Sequence, residues 1–313
     1  MTREPVRNLS ASVLARLLER ARQTGDDYQV LLTAFACERF LHRLGASSVC
    51  DRFVLKGALL LRIWSDQPYR ATRDLDLLRI GDGAAETIRA DVALICAAEV
   101  EPDGLAFDPA SIRLEAIRAE DEYAGTRITL LAHCGSARIT LQIDIGVGDA
   151  VWPPPERRTY PALLEFPVAE VLTYSPESVI AEKLEAIVVL GDRNSRIKDF
   201  FDLRYLAGRF EFDRITLTRA IRGTFARRQL PLPTGEPLGL TAAYWDNPSR
   251  PAQIRAFARR AALAVGEEPG REILAVLRPF LLPILDDLRR GAAMSGTWPP
   301  GGPWGREGGT PDA

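Results

Sequence analysis

The sequence predicts an α/β (α+β) fold: a small mixed sheet with helices against it, followed by a mainly helical C-terminal half. Three observations carry this. A short apolar run, Phe53-Val54-Leu55, is interrupted by Lys56-Gly57 and followed by helix formers, the pattern of a buried strand, a turn and a helix. Asp74-Leu75-Asp76-Leu77-Leu78 alternates polar and apolar residues, as a strand does when successive side chains point to opposite faces. Three more alternating segments, 111–118, 126–134 and 138–145, are separated by Tyr123-Ala124-Gly125 and Gly135-Ser136. Those are turn residues of an antiparallel meander.

Taken in order, residues 10–24 read as an amphipathic helix with Ser10 as N-cap, Val13, Leu14, Leu17, Leu18 and Ala21 on one face, and Gly25 past its end. A second helix spans 28–44 and ends at Gly45. Both are expected to pack on the sheet. A helix over 58–64 ends at Gln67-Pro68. After the acidic strand and the loop Gly81-Asp82-Gly83 comes a helix over 84–99. Residues 151–167 are proline-rich and read as a connecting loop, the best domain boundary. Ser175 then caps a helix with Pro176 at its first position, running to about Leu190. Helical patterns follow at 195–207, 253–265 and 271–289, the last kinked or broken by Pro279 and Pro283. From Gly291 the chain is rich in Gly and Pro with Trp298 and Trp304, composition of a flexible tail, unless the tryptophans dock. The expected organisation is a domain over 1–150 with N-terminal helices and the sheet, a helical domain over 151–290 that completes the active site, and a tail over 291–313.

With 313 residues the chain can bury a sizeable core in one large domain or two ordinary ones. Its 46% hydrophobic and 26% charged residues are those of a soluble globular protein. No apolar run reaches bilayer length, and the first eight residues lack the apolar core of a secretory signal. The expected compartment is the cytoplasm, with no membrane association. Cys37, Cys50, Cys96 and Cys134 have no pairing or metal spacing and read as core or near-core residues in a reducing environment. His42 and His133 are the only histidines, so a zinc site or a His-based triad is poorly supplied.

The net charge of −2 does not announce nucleic acid. Residues 193–228, however, hold ten basic side chains against four acidic ones. Such a surplus can track an RNA backbone; a solvated, salt-bridged helical surface is the alternative. Only three lysines occur, Lys56, Lys183 and Lys198. In so arginine-rich a chain, a retained lysine marks a place for a compact ammonium rather than a planar fork, with chance placement as the alternative.

The chemistry centres on Asp74 and Asp76. Two carboxylates on one strand face stay ionised only if water or a cation compensates, and a hard divalent cation such as Mg2+ takes oxygen ligands. A solvated edge strand with an incidental acidic pair is the alternative. Gly57, opening a helix after a strand, lets backbone amides approach a phosphate. On the strand over 138–145, Ile139, Leu141, Ile143 and Ile145 point one way and Arg138, Thr140, Gln142 and Asp144 the other. Asp144 is therefore the candidate third carboxylate, with Asp149 behind it; a solvent-facing strand-end aspartate is the competing reading. Lys183 falls on a helix whose packing face is Val179, Ile180, Leu184, Ile187 and Val188. Asp199 and Asp202 neighbour one another on the next helix. Paired helices would aim Lys183 and Asp199 at the sheet's carboxylates; a surface ion pair of little worth is the alternative.

KGALLL followed by RATRDLDLL resembles the AbiEii/AbiGii toxin family of nucleotidyltransferases, within the polymerase-beta-like superfamily. That family's usual form is a Lys-Gly-[Gly/Ala] turn and then Arg-x-[Ser/Thr]-x-Asp-[Ile/Leu]-Asp. SPESVIAEKLEAIVVLG and NSRIKDFFDLRYLA resemble its second conserved block, and the similarity covers about 8–257. Ala58 departs from the superfamily, which often has Ser or Gly there, so a hydroxyl contact to phosphate is lost. The resemblance implies a nucleotidyltransferase-like fold and transfer of a nucleoside monophosphate from a nucleoside triphosphate, with Mg2+ or Mn2+ as cofactor. The acceptor implied is RNA, possibly tRNA, and the setting a toxin with a cognate antitoxin partner, or phage defence. Asp74 and Asp76 would be catalytic and, with Asp144, hold the metal. Lys56, Gly57, Thr72 and Lys198 would bind the nucleotide phosphates. Lys183 would neutralise charge on the transferred phosphoryl, and Asp199 would position the acceptor or Lys183 itself. Two other classes remain: a catalytically idle nucleotide- or partner-binding regulatory module, and a small-molecule nucleotidyltransferase. Retention of Lys56, both strand aspartates and Lys183 argues against the first; the basic C-terminal half argues against the second.

Overall fold

The computed structural model describes residues 8–65, 72, 74–117, 125–261, 263–292 and 294–305. The chain is α/β, as expected, and divides into two compact units. One comprises Met1–Gly148 with Pro155–Thr173, the other Asp149–Pro154 with Tyr174–Ala313.

The first unit opens with α1 (Leu9–Thr24) and α2 (Tyr28–Ala46). Asn8, not Ser10, caps α1: its side chain accepts from the Ala11 N–H at 3.0 Å. Ser10 Oγ instead donates to Gly104 O at 2.8 Å, a distant partner that local pattern does not reveal. Helix α2 runs through Gly45 to Ala46 rather than stopping there. A Cβ on Gly45 would sit 2.5 Å from the Glu170 carbonyl oxygen, so this glycine permits close helix–strand approach instead of ending the helix.

The strands are β1 (Phe53–Lys56), β2 (Asp74–Arg79), β3 (Ala106–Ile117), β4 (Gly125–Cys134), β5 (Ala137–Val147), β6 (Glu156–Tyr160) and β7 (Ala169–Thr173). They form one sheet in the order β3-β4-β5-β2-β1-β7-β6. The meander β3-β4-β5 is antiparallel; β2 pairs parallel to β5 and antiparallel to β1. Central β1 and β2 bury Phe53, Val54, Leu55, Leu75 and Leu77 completely, each worth about 1.5–3 kcal/mol against exposure. Pro109 lies where the β3 register shifts, on an edge strand, one of the few sheet positions a proline tolerates. Helix α2 packs on β5 and β7, while α3 (Leu60–Trp64) follows β1 and α4 (Ala85–Cys96) packs on β3. The turns expected at 67–68 and 123–124 lie outside the described residues.

The expectation of a plain connecting loop over 151–167 is corrected. Residues 156–160 form β6 and pair with β7 at the sheet edge. Two wholly buried charges of α2 hold the following turn. Arg39 pairs with Glu38 at 2.7 Å and donates to Pro167 O, while Glu38 accepts from the Leu163 N–H. Burial pushes the Glu38 carboxyl up, with Arg39 opposing. The proline content conceals a strand whose partner arrives only at Ala169.

In the second unit Ser175 accepts from Ser178 N–H and caps α5 (Pro176–Leu190), as expected. There follow α6 (Ile197–Arg209), β8 (Phe212–Asp213), α7 (Arg214–Arg227), α8 (Ala242–Trp245), α9 (Arg250–Ala261), α10 (Pro269–Arg290) and β9 (Thr297–Trp298). Pro279 and Pro283 do not break α10, which stays helical for 22 residues. The prolines are four apart, off the face that buries Ile273, Leu277, Phe280, Leu281, Ile284 and Leu288. That buried stripe outweighs about 3 kcal/mol per interior proline. Residues 294–305 are docked, correcting the expected flexible tail. Trp298 is 1% exposed, donates to Ala207 O at 2.8 Å and pairs with Phe212 across β8–β9. Trp304 stacks on Phe280 at 5.9 Å and donates to its carbonyl.

Candidate active site

Strand register builds the site. Lys56 on β1 lies opposite Asp76, Asp76 opposite Asp144 on β5, and Asp144 opposite Arg127 on β4. Directly paired residues share a face, and neighbouring strands are about 4.8 Å apart. One row across four strands therefore reads Arg127, Asp144, Asp76, Lys56, with charges + − − +. The adjacent row carries Thr129, Gln142 and Asp74. Asp74 is exposed and Asp76 half-buried, while Leu75 and Leu77 seal the opposite face. Beneath, burial pushes the Cys37 thiol of α2 up to about 12, and the Asp74 charge adds to it.

Gly57 begins a 3-10 turn, Gly57–Leu59, before the five-residue α3; the helix expected over 58–64 is thus shorter and tighter at its start. Its φ is +71°, and a Cβ there would sit 2.7 Å from Cγ and 2.8 Å from Cβ of Asp76. Two demands converge on glycine: a left-handed backbone and space for a carboxylate. Gly57→Ala is expected to lower activity about 100-fold, the cost of misplacing a reacting group by about 1 Å. Folding stability is expected to fall by about 1–3 kcal/mol. Initial rates and denaturant midpoints check this; parent-like rates would show that Asp76 needs no such room.

Asp144 has a strong partner. Arg127 Nε donates to Oδ1 and Nη2 to Oδ2, both at 2.8 Å. This pairing, with Asp74 adding, raises the Arg127 pKa. With the Gln142 amide oxygen turned toward Arg127, it accepts at 3.3 and 3.1 Å. Among the described residues no group of three His, Cys, Asp or Glu side chains converges as a metal site. The donor set still suits a hard cation, since Asp74 and Asp76 offer carboxylate oxygens on one face, with Asp76 cradled by Gly57. Thr72 sits just before β2, its hydroxyl only loosely placed at 3.4 Å from the Asp74 N–H.

The second unit holds the other predicted residues. Lys183 Nζ lies 2.7 Å from Asp199 Oδ1 and 2.6 Å from Asp202 Oδ2. Asp199 is wholly buried, and Arg196 Nε meets its second oxygen at 2.7 Å. The pair is internal rather than the surface contact weighed as the alternative. Lys198 is exposed and outside this cluster. Asp149 pairs with Arg228, which also holds Glu185 at 2.6 Å. The basic surplus over 193–228 is therefore divided. Arg196, Arg204, Arg214 and Arg228 are held in ion pairs, while Arg193, Lys198, Arg209, Arg219, Arg222 and Arg227 are exposed. Arg219 lies over the Trp152 ring at 3.4 Å.

Two residues of these charge clusters escaped the sequence reading. Arg127 carries only a weak local signal, sharing a strand face with Thr129; its relation to Asp144 exists through antiparallel register. Asp202 is visible as a neighbour of Asp199, but not as the second carboxylate on Lys183.

A mixed sheet presents an aspartate pair beside a glycine turn, the arrangement that the resemblance implies. The family model for the nucleotidyl transferase AbiEii toxin, Type IV toxin–antitoxin system, matches residues 39–281, and the chain belongs to that family. It is a nucleotidyltransferase of a toxin–antitoxin system. No curated protein matches it in sequence. Two solved structures from Helicobacter pylori are similar to it: JHP933, at 16% identity over 85% of this chain and 95% of that one with a TM-score of 0.46, and a candidate nucleotidyltransferase, at 15% identity over 85% and 98% with a TM-score of 0.48. Among the described residues no helix is long and apolar enough to cross a membrane.

Proposed function

We propose that the chain moves a nucleoside monophosphate from a nucleoside triphosphate to a hydroxyl of RNA, tRNA foremost, as a toxin countered by a cognate antitoxin in phage defence. The observation that carries this is the Asp74–Asp76 pair on the open face of β2, with Asp76 seated against Gly57. Asp74 and Asp76, joined by Asp144, would hold Mg2+ or Mn2+, which when bound supplies Lewis acidity toward phosphoryl oxygens. Lys56, beside Asp76 in the row, and the amides of the Gly57 turn bind phosphate, with Thr72 at the strand entry; Lys198 adds a further positive charge for phosphate in this reading. Lys183 meets charge growing on the phosphoryl group. Asp199, buried and with Arg196 Nε 2.7 Å from its second oxygen, holds Lys183 rather than the acceptor.

Transfer of label from an alpha-labelled nucleoside triphosphate to RNA, with and without added divalent cation, tests the reaction. The exposed arginines of the second unit supply the acceptor surface. Arg209→Glu combined with Arg222→Glu is expected to weaken RNA binding and flatten its salt dependence by about one unit per lost phosphate contact. Nucleotide affinity is expected to hold. These two are chosen over Arg228, whose loss would take a guanidinium away from Glu185 and Asp149. Equal salt slopes in parent and variant would move the acceptor surface elsewhere.

A further inference from the structure

The charge row across the sheet contains a cation, Arg127, that the metal-and-phosphate assignment leaves unused. We propose that Arg127 is a displaceable counter-ion of Asp144: it closes that carboxylate to a divalent cation in the nucleotide-free protein, and Asp144 joins Asp74 and Asp76 as an oxygen ligand only when the guanidinium lets go. This rests on the metal-dependent reading above and deepens it.

Both Asp144 oxygens accept from Arg127, one from Nε and one from Nη2. Such a fork uses the carboxylate's strongest acceptor directions. Arg127 is neither buried nor braced on all sides: its side chain is 38% exposed, and Asp144 is 22% exposed. Release therefore costs little desolvation, as expected of a partly solvated pair. The row Arg127, Asp144, Asp76, Lys56 carries two cations and two anions. A divalent ion entering beside Asp144 meets Arg127 about one strand spacing away, and at that range charge repulsion exceeds thermal energy even with strong screening. A nucleoside triphosphate changes the balance. Its phosphates bring excess negative charge and the same bidentate oxygen geometry, so the guanidinium can exchange a carboxylate for a phosphate without losing its hydrogen bonds. Nucleotide and metal then enter together, and the nucleotide-free site holds metal weakly.

The test reads metal directly. Mn2+ binding to the nucleotide-free full chain is followed by the electron paramagnetic resonance signal of the free ion. Arg127→Gln is expected to bind Mn2+ about tenfold tighter than the parent, and Asp144→Asn in the same chain to remove the gain. Arg127→Lys, which keeps the charge but loses the fork, is expected to gain less than Arg127→Gln. A guanidinium that only braces the sheet gives no gain on removal, so an unchanged or weaker affinity in Arg127→Gln overturns the proposal. A gain that survives Asp144→Asn, or one as large in Arg127→Lys, also overturns it. Asp74→Asn separates the two levels. If it lowers Mn2+ affinity while Arg127→Gln leaves it unchanged, the proposal falls alone. If it has no effect, the metal assignment falls and takes the proposal with it.

Discussion

Asp76→Ala is expected to abolish transfer of label from an alpha-labelled nucleoside triphosphate, by about three orders of magnitude or more, in a protein that stays folded. Asp76 stands at the centre of the site: Lys56 pairs with it from one strand, Asp144 from the other, and Gly57 leaves room for its carboxylate. Metal-assisted charge stabilisation is worth several kcal/mol, and each ~1.4 kcal/mol is a factor of ten. The strand itself is held by Leu75 and Leu77, both fully buried on the opposite face, and alanine at 76 leaves that packing in place. Asp74→Ala, at the exposed start of β2, is expected to behave alike. The measurement pairs initial rates with a melting curve. Full activity in either variant would remove the carboxylates from the chemistry; loss of the cooperative transition would instead assign them to folding.

Lys183→Met is expected to destabilise the second unit strongly. It removes the ammonium from Asp199, wholly buried, and from Asp202, 3% exposed, whose oxygens then face a position that carries no charge. Removing one partner of a buried ion pair costs about 3–5 kcal/mol, and the Arg196 contact to Asp199 places this case toward the lower end. Activity is expected to be lost as well. Lys183→Arg separates the two effects. Charge is kept, so most of the stability remains. The ammonium that now contacts two carboxylates within 2.7 Å is replaced by a larger planar group, and activity is expected to fall at least tenfold. Urea denaturation together with label transfer resolves stability from rate. A Lys183→Arg chain as active as the parent would mean that the scarcity of lysine carries no chemical message.

Much of this site was legible because its signals are local. Asp74 and Asp76 share a face by the two-residue period of a strand, whatever the rest of the chain does. Asp144 alternates with Ile139, Leu141, Ile143 and Ile145 for the same reason, and all four isoleucine and leucine side chains are buried as the pattern demands. Ser175 and Pro176 mark a helix start within four residues. The failures share a cause too. The β6 strand reads Glu-Arg-Arg-Thr-Tyr amid prolines and exists because β7 offers it a partner. Gly45 looks like a helix terminator until Glu170 is brought against it. Pro279 and Pro283 would end an isolated helix; in α10 a buried stripe on the other face keeps it continuous. Trp298 and Trp304 look like a tail's ornaments until Phe280 and Ala207 receive them.

By itself the sequence determined the fold class, the paired carboxylates, the glycine turn and the presence of Lys183 near two aspartates, all properties of residues a few positions apart. Only the tertiary structure decided which charges answer which. Arg127 reaches Asp144 across a strand pair 17 positions apart, Lys183 joins two helices, and Glu38 fixes a turn 125 residues away. The physical reason is that periodicity assigns a side chain to a face, whereas its partner depends on register and packing, and these are set by contacts that the chain forms only when it closes on itself.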